Sequence, residues 1–207
     1  AGKSSEDEKD IFERETRTRP YLAKQAEGIM FDGVTAEVRK IIASKKEGED
    51  FRVLDLFSGY RTYLLPEVVA EAKEKGLKVE IDGIGRNPKE LKGNKTLTDF
   101  AVRNLNEKRW LPSKWKAKKY DIVIITSGMA YVKNPETLFA AIARMMNPGG
   151  VLYIAFTAGS YPGPATKKWR KAQEKFERAI LTTGWINSTG AFAAAQHERK
   201  YYNIGIG

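Results

Sequence analysis

From Phe51 to Phe156 the chain alternates dense apolar runs with segments of helical period, and most of the runs stop at a glycine or a small polar residue. This alternation limits the possible folds more than any other feature. Phe51-Arg52-Val53-Leu54-Asp55-Leu56-Phe57 is broken by Ser58-Gly59, Lys78 to Ile84 stops at Gly85, and the β-branched run Tyr120 to Thr126 exits into Ser127. With Val151 to Thr157 and a weaker run, Phe100 to Leu105, they read as strands. The intervening stretches read as helices. Leu64 to Lys75 has Pro66 in its first turn and Gly76 past its end, and Asn134-Pro135 opens a helix through Met146 with Asn as its cap. Asn147-Pro148-Gly149-Gly150 ends that helix, and Thr166 to Thr183 places Trp169, Ala172, Phe176 and Ile180 on one face. Upstream, Val38, Ile41 and Ile42 predict a helix that starts at Thr35 and closes near Gly48. Parallel strands need long crossovers and read as continuous apolar runs when buried. The class is therefore α/β, doubly wound, with five parallel strands and helices on both faces. Ala193 to Lys200 is too short for a parallel crossover, so Trp185 to Phe192 and Tyr201 to Ile206 are expected to close the sheet as an antiparallel hairpin, giving about seven strands.

Composition narrows the function classes. The chain has 207 residues and no cysteine, which excludes a disulfide framework, a thiolate metal site and a cysteine nucleophile. No stretch approaches the roughly 18 apolar residues of a spanning helix. The expected setting is soluble, in a reducing or organellar compartment such as a chloroplast or mitochondrion. The opening Ala1-Gly2-Lys3 fits a processed or trimmed product. Charge is uneven: residues 1–50 carry 10 basic against 12 acidic groups, residues 51–150 carry 18 against 11, and residues 151–207 carry 8 against 3. Residues 1–34 read as a charged arm and 35–207 as the folded domain. The net charge of +10 draws anionic partners, either an acidic protein face or RNA within a larger assembly.

Val53 to Gly59 resembles the first motif of the class I S-adenosylmethionine-dependent methyltransferases, and Tyr120-Asp121-Ile122-Val123-Ile124 resembles their fourth strand. The stretch from Asn134 to Phe156, around Pro148-Gly149-Gly150, is similar to the type 11 group of that superfamily. Gly83 to Leu91, Asn104 to Glu107 with Leu111-Pro112, and Ser160-Tyr161-Pro162 before Trp169-Arg170 resemble a methyltransferase-like subgroup found mainly in photosynthetic lineages. The resemblance runs from about Thr35 to the C-terminus. It implies a Rossmann-like sheet, S-adenosylmethionine as cofactor, and a site beyond the carboxyl ends of the strands.

That resemblance also assigns positions. Where the family has three glycines after the first strand, this chain has Phe57, Gly59 and Arg61. The acidic residue that grips the ribose hydroxyls in the family falls at Gly85, and Asp82 and Glu80 have the wrong strand parity to replace it. The contact to the adenine amino group falls at Asn104, whose side-chain carbonyl is an acceptor. The implied cofactor-binding set is Asp55, Phe57, Ser58, Gly59, Gly85, Arg86, Asn104, Leu105 and Ser127.

Most of these residues have a second reading. Asp55 could reach the methionine amino group or hold turn N–H groups. Arg61 and Arg86 could grip an anion or be solvated, and Tyr131 could face a methyl acceptor or simply pack. His197 is the only histidine, placed in the hairpin turn, which leaves a metal site or a histidine triad without partners. The stretch Lys108-Arg109-Trp110 to Trp115-Lys116-Ala117-Lys118-Lys119 suits phosphate contacts with base stacking, or a loop whose tryptophans tuck into the sheet edge. Lys167, Lys168, Arg170, Lys171, Lys175 and Arg178 form a second basic stripe. Three functions follow: a methyltransferase of unknown acceptor, a catalytically inactive subunit of that fold docked in a large assembly, or an RNA-binding accessory protein.

Overall fold

The computed structural model describes residues 24–156, 166–172 and 177–193, with the backbone path alone for 24–30. Five strands, β1 (Asp50–Leu56), β2 (Lys78–Gly85), β3 (Asp99–Val102), β4 (Tyr120–Thr126) and β5 (Met146–Ala155), form one sheet in the order β3-β2-β1-β4-β5. Every pairing is parallel. The chain thus winds outward from β1 in one direction and then returns to start again at β4. β1 and β4 flank the point where the winding reverses, the position at which open α/β sheets bind ligands.

Among the described residues six helices complete the layers: α1 (Lys24–Ser44), α2 (Pro66–Glu74), α3 (Pro88–Gly93), α4 (Pro135–Met145), α5 (Lys167–Lys171) and α6 (Glu177–Asn187). One core joins Val34, Val38 and Ile42 of α1 and Val68 and Ala72 of α2 to Val53, Ile81, Ile122 and Ile124 of the sheet. The other joins Leu138, Phe139 and Ile142 of α4, with Trp110, Trp115, Trp169 and Trp185, to Leu54, Leu56, Ile84, Val123 and Ile125. Because both faces are covered, β4 is buried at every position but the last. Gly33 allows α1 to approach β5, since a Cβ there would overlap the Tyr153 hydroxyl. The end of α1 is held by Lys75 Nζ, which donates to the carbonyls of Ile42 at 2.6 Å and Ala43 at 2.9 Å.

Several expectations change. The helix read from Thr35 is already under way at Lys24, where the described residues begin, and its Val34 is core, so residues 34 and 35 share one element. Asn134 precedes α4, but its side chain makes no capping bond. The true Asn cap is Asn87, whose Oδ1 accepts from the N–H groups of Lys89 and Glu90 at the start of α3, an element the periodicity did not reveal. β3 stops at Val102, where the chain turns toward Asn104. β5 begins at Met146 opposite Tyr120, and its pairing resumes at Val151 opposite Ile122. The Asn-Pro-Gly-Gly segment bulges between those two pairings.

The largest correction concerns the C-terminal region. Trp185 to Phe192 is not a strand: α6 runs through Asn187, followed by turns closed by Ser188 Oγ and Thr189 Oγ1, which donate to the carbonyls of Trp185 and Ile186. Arg178, Thr182, Trp185 and Ile186 are buried, while Ile180, expected on the inner face, is 69% exposed. Burial at helical spacing has overridden the β-propensity of Trp and Ile. Tyr201 to Ile206, Phe176, His197 and Ser160 to Pro162 lie outside the described residues.

Candidate functional site

At the carboxyl ends of the two central strands, both exits take a left-handed backbone on residues that are not glycine: Phe57 at φ 58° and Ser127 at φ 56°. Such conformations carry strain for L-residues and persist where the surroundings hold them. After β1 the restraint is a buried hydrogen-bonded knot. The Ser58 N–H donates to the Ile84 carbonyl at 2.8 Å, extending the β1–β2 ladder by one rung. Asp55 Oδ2 accepts from Ser58 Oγ at 2.8 Å and Thr62 Oγ1 at 2.6 Å. Asn94 Nδ2 closes the knot from the end of α3, donating to the Gly59 carbonyl at 3.1 Å and Thr62 Oγ1 at 3.0 Å.

Asp55 is a carboxylate in a nearly dry place. It is 3% exposed, and burial pushes its pKa up to about 7, against the lowering effect of the Thr62 and Ser58 hydroxyls. Its partners are therefore two hydroxyls rather than the turn N–H groups expected of a structural aspartate.

The knot places backbone where a side chain from β2 would otherwise stand. A Cβ at Gly85 would overlap the Ser58 carbonyl oxygen, and one at Gly83 would meet the Leu97 side chain and Ser58 Oγ. On the β4 side, Phe57 lies flat against Gly128, where a Cβ would overlap its ring. Tyr131 packs 6.5 Å from the Phe57 ring. What remains between them is a cavity of about 30 Å³, lined by Phe57, Gly85, Arg86, Asn104, Leu105 and Tyr131, among others.

The structure therefore brings five of the sequence-predicted residues, Phe57, Gly85, Arg86, Asn104 and Leu105, to one small cavity. Asp55, Ser58 and Gly59 belong to the knot, and Ser127 hands its N–H to the Ala155 carbonyl at the exit of β4. Asn104 Oδ1 accepts from the Asn106 N–H at 3.0 Å. Arg61 lies over the Tyr60 ring. Sequence reading missed Asn94 and Asn106, the latter donating to the Tyr131 carbonyl at 2.9 Å and accepting from the Lys133 N–H at 2.8 Å. Asn94 Oδ1 accepts from the Thr96 N–H two residues on, as Asn104 Oδ1 does from the Asn106 N–H, a turn signal that was legible. The two tryptophans of the basic loop are core residues, Trp110 at 8% and Trp115 at 1% exposed, so they are not available to stack on bases. Asp82 faces the opposite side of β2 from Gly85, where it accepts from Tyr120 Oη and Lys118 Nζ, both at 2.8 Å. Among the described residues no group of carboxylates and histidines is arranged to hold a metal.

Residues 66–154, from α2 to β5, match the family model of a methyltransferase domain. The likeness to a methyltransferase domain thus covers 89 of the 207 residues. Similar solved structures include a candidate sarcosine dimethylglycine methyltransferase from Galdieria sulphuraria, at 16% identity and TM-score 0.48, covering 82% of this chain and 67% of that one. Another is an S-adenosylmethionine-dependent methyltransferase from Mesorhizobium loti, at 18% identity and TM-score 0.46, covering 77% and 82%. A third is the complex of the Haloferax volcanii Trm112 methyltransferase activator with its candidate methyltransferase, at 18% identity and TM-score 0.45, covering 81% and 73%. Against two other methyltransferases the chain spans about half of their length. No curated protein matches it. No helix among the described residues is long and apolar enough to cross a membrane.

Proposed function

We propose that this chain keeps the methyltransferase sheet as a scaffold and does not use S-adenosylmethionine as a methyl donor. One observation carries the reading: the Ser58 carbonyl occupies the space that any side chain at position 85 would need. A carboxylate clamp for a ribose therefore has neither a residue nor room. Two further features support it. Phe57 lines the strand-end cleft, and the remaining cavity is about 30 Å³, whereas pockets for ligands of nucleoside size run to several hundred Å³. The residues present do not fit the cofactor. Seating one would require the 57–62 turn to leave β2 and break the bonds to Asp55 and Asn94.

The role left to such a fold is docking, with its basic body facing an anionic partner in a larger assembly. Isothermal titration of the full chain with S-adenosylmethionine and S-adenosylhomocysteine tests the reading. No heat and no thermal shift at millimolar ligand are expected. Saturable binding that Asp55→Ala abolishes would instead establish the cofactor-using reading, with the acceptor still to be found. The assembly role predicts that the native protein elutes from gel filtration of its source extract in a particle far larger than a monomer; elution as a free monomer would count against it.

A further inference from the structure

The positive charge of this chain is concentrated around one edge of the sheet. Residues 86–119 carry 11 of its lysines and arginines against three acidic residues. Two of those three are withdrawn from the surface field: Glu90 is 3% exposed, and Asp99 is bound by Lys114 and by Trp115 Nε1. Only Glu107 is left as an exposed carboxylate in the segment. The cations come from both sides of the same outer strand. Lys89, Lys92 and Lys95 lie on and just after α3, which packs on β2 and β3. Lys108, Arg109 and Lys116 lie on the loop that Trp115 ties to Asp99 of β3. All six are exposed, and among the described residues none is paired with a carboxylate.

We infer that this β3 edge is a nucleic-acid face that reads the phosphate backbone and not the bases. Composition separates it from a protein interface, whose core favours arginine and aromatic residues and is depleted of lysine. Here lysines predominate, and the single exposed large apolar residue of the edge is Val102, at 38%. The burial of Trp110 and Trp115 removes the stacking platforms that single-strand recognition uses. What remains is a row of cations without base readout, which gives affinity, positioning and salt dependence with little sequence preference. The inference does not depend on the cofactor reading, because no residue of the knot takes part in it.

Binding of the full chain to a short labelled RNA duplex, the matching DNA duplex, the single strand and vesicles of phosphatidylserine in phosphatidylcholine, each across a salt series, tests this. With about six phosphates neutralised, the log–log salt slope on duplex should be about −5, and affinity should fall about 1,000-fold between 50 and 200 mM salt. The Lys89→Glu/Lys92→Glu/Lys116→Glu variant should bind at least tenfold more weakly, while Lys167→Glu/Lys168→Glu/Lys171→Glu on α5 serves as an equally charged control and should bind as the native chain does. Scrambled duplexes should bind equally. RNA and DNA at equal affinity would extend the face to both, and a preference for RNA would place contacts on the 2′-hydroxyl. No duplex binding at low salt, binding to vesicles alone, or equal losses in both variants would overturn the proposal.

Discussion

The Ser58 carbonyl oxygen and the Cα of Gly85 are in direct opposition across the end of the β1–β2 ladder, and a Cβ on Gly85 would overlap that oxygen. The N–H of the same serine is bonded to Ile84, so the turn cannot shift without losing a rung of the sheet. Gly85→Ala should therefore destabilise the fold by about 1 to 3 kcal/mol, the range for overpacking a closed site. Urea denaturation measures it. A neutral result would mean that the turn moves freely, and the case against cofactor use would weaken with it.

Asp55 sets a pH dependence. Its folded pKa of about 7 lies above the ordinary carboxylate value, so its stabilising contribution is complete in acid and is lost as pH rises toward and through 7. The loss amounts to at most about 4 kcal/mol. Asp55→Asn keeps an acceptor for the Ser58 and Thr62 hydroxyls and removes the titration. Melting curves from pH 4 to pH 8 should show the variant matching the native chain in acid and exceeding it at pH 8. Parallel curves would place the carboxylate in wetter surroundings than the structure gives it.

Asn94 is the outer pin of the knot. Asn94→Leu leaves the Gly59 carbonyl without this donor in a buried place, which costs about 1 to 3 kcal/mol. Hydrogen exchange should then speed up at Ser58 and Thr62 while Val123 and Ile124 stay protected. Uniform acceleration would show that the knot does not open as a local unit.

Ser127 offers a change in the opposite direction. Its left-handed backbone is one that glycine adopts without steric cost, so Ser127→Gly should raise stability by about 0.5 to 1 kcal/mol. A fall in the denaturation midpoint would mean that the Ser127 side chain makes a contact worth more than the strain.

At the other end of the sheet, Asp82 is 1% exposed, and burial followed by its hydrogen bond to Asp82 pushes the Tyr120 hydroxyl pKa up. Burial works against the charge of Lys118, yet the bonds to Asp82 and Glu80 prevail and hold its pKa above the ordinary value. Lys118→Met should cost on the order of 3 kcal/mol by stranding Asp82, and Tyr120→Phe about 1 kcal/mol. A double-mutant cycle in urea that shows no coupling between the two would contradict a shared acceptor.

The sheet was legible because buried parallel strands leave continuous apolar runs, and Tyr120–Thr126 matches its strand residue for residue. α3 was missed because one and a half turns show no period, although Asn87-Pro88 carried its start signal. Trp185 and Ile186 misled because both suit a strand, and only tertiary burial, absent from the local pattern, places them in α6. At the site, the sequence located the strand-end residues but not their linkage. The bond from Asn94 to the Gly59 carbonyl joins residues 35 apart, and nothing in either stretch announces the other.

The knot also constrains any redesign of this protein. Introducing an acidic residue at position 85 would meet backbone before it met a ligand, and thinning Phe57 alone would leave that obstacle standing. Making room for a side chain at position 85 would require the bonds among Asp55, Thr62 and Asn94 to loosen first, with a loss of stability before any new contact forms. Position 85 is therefore governed by the whole 58–62 turn and by Asn94, and not by its strand neighbours alone.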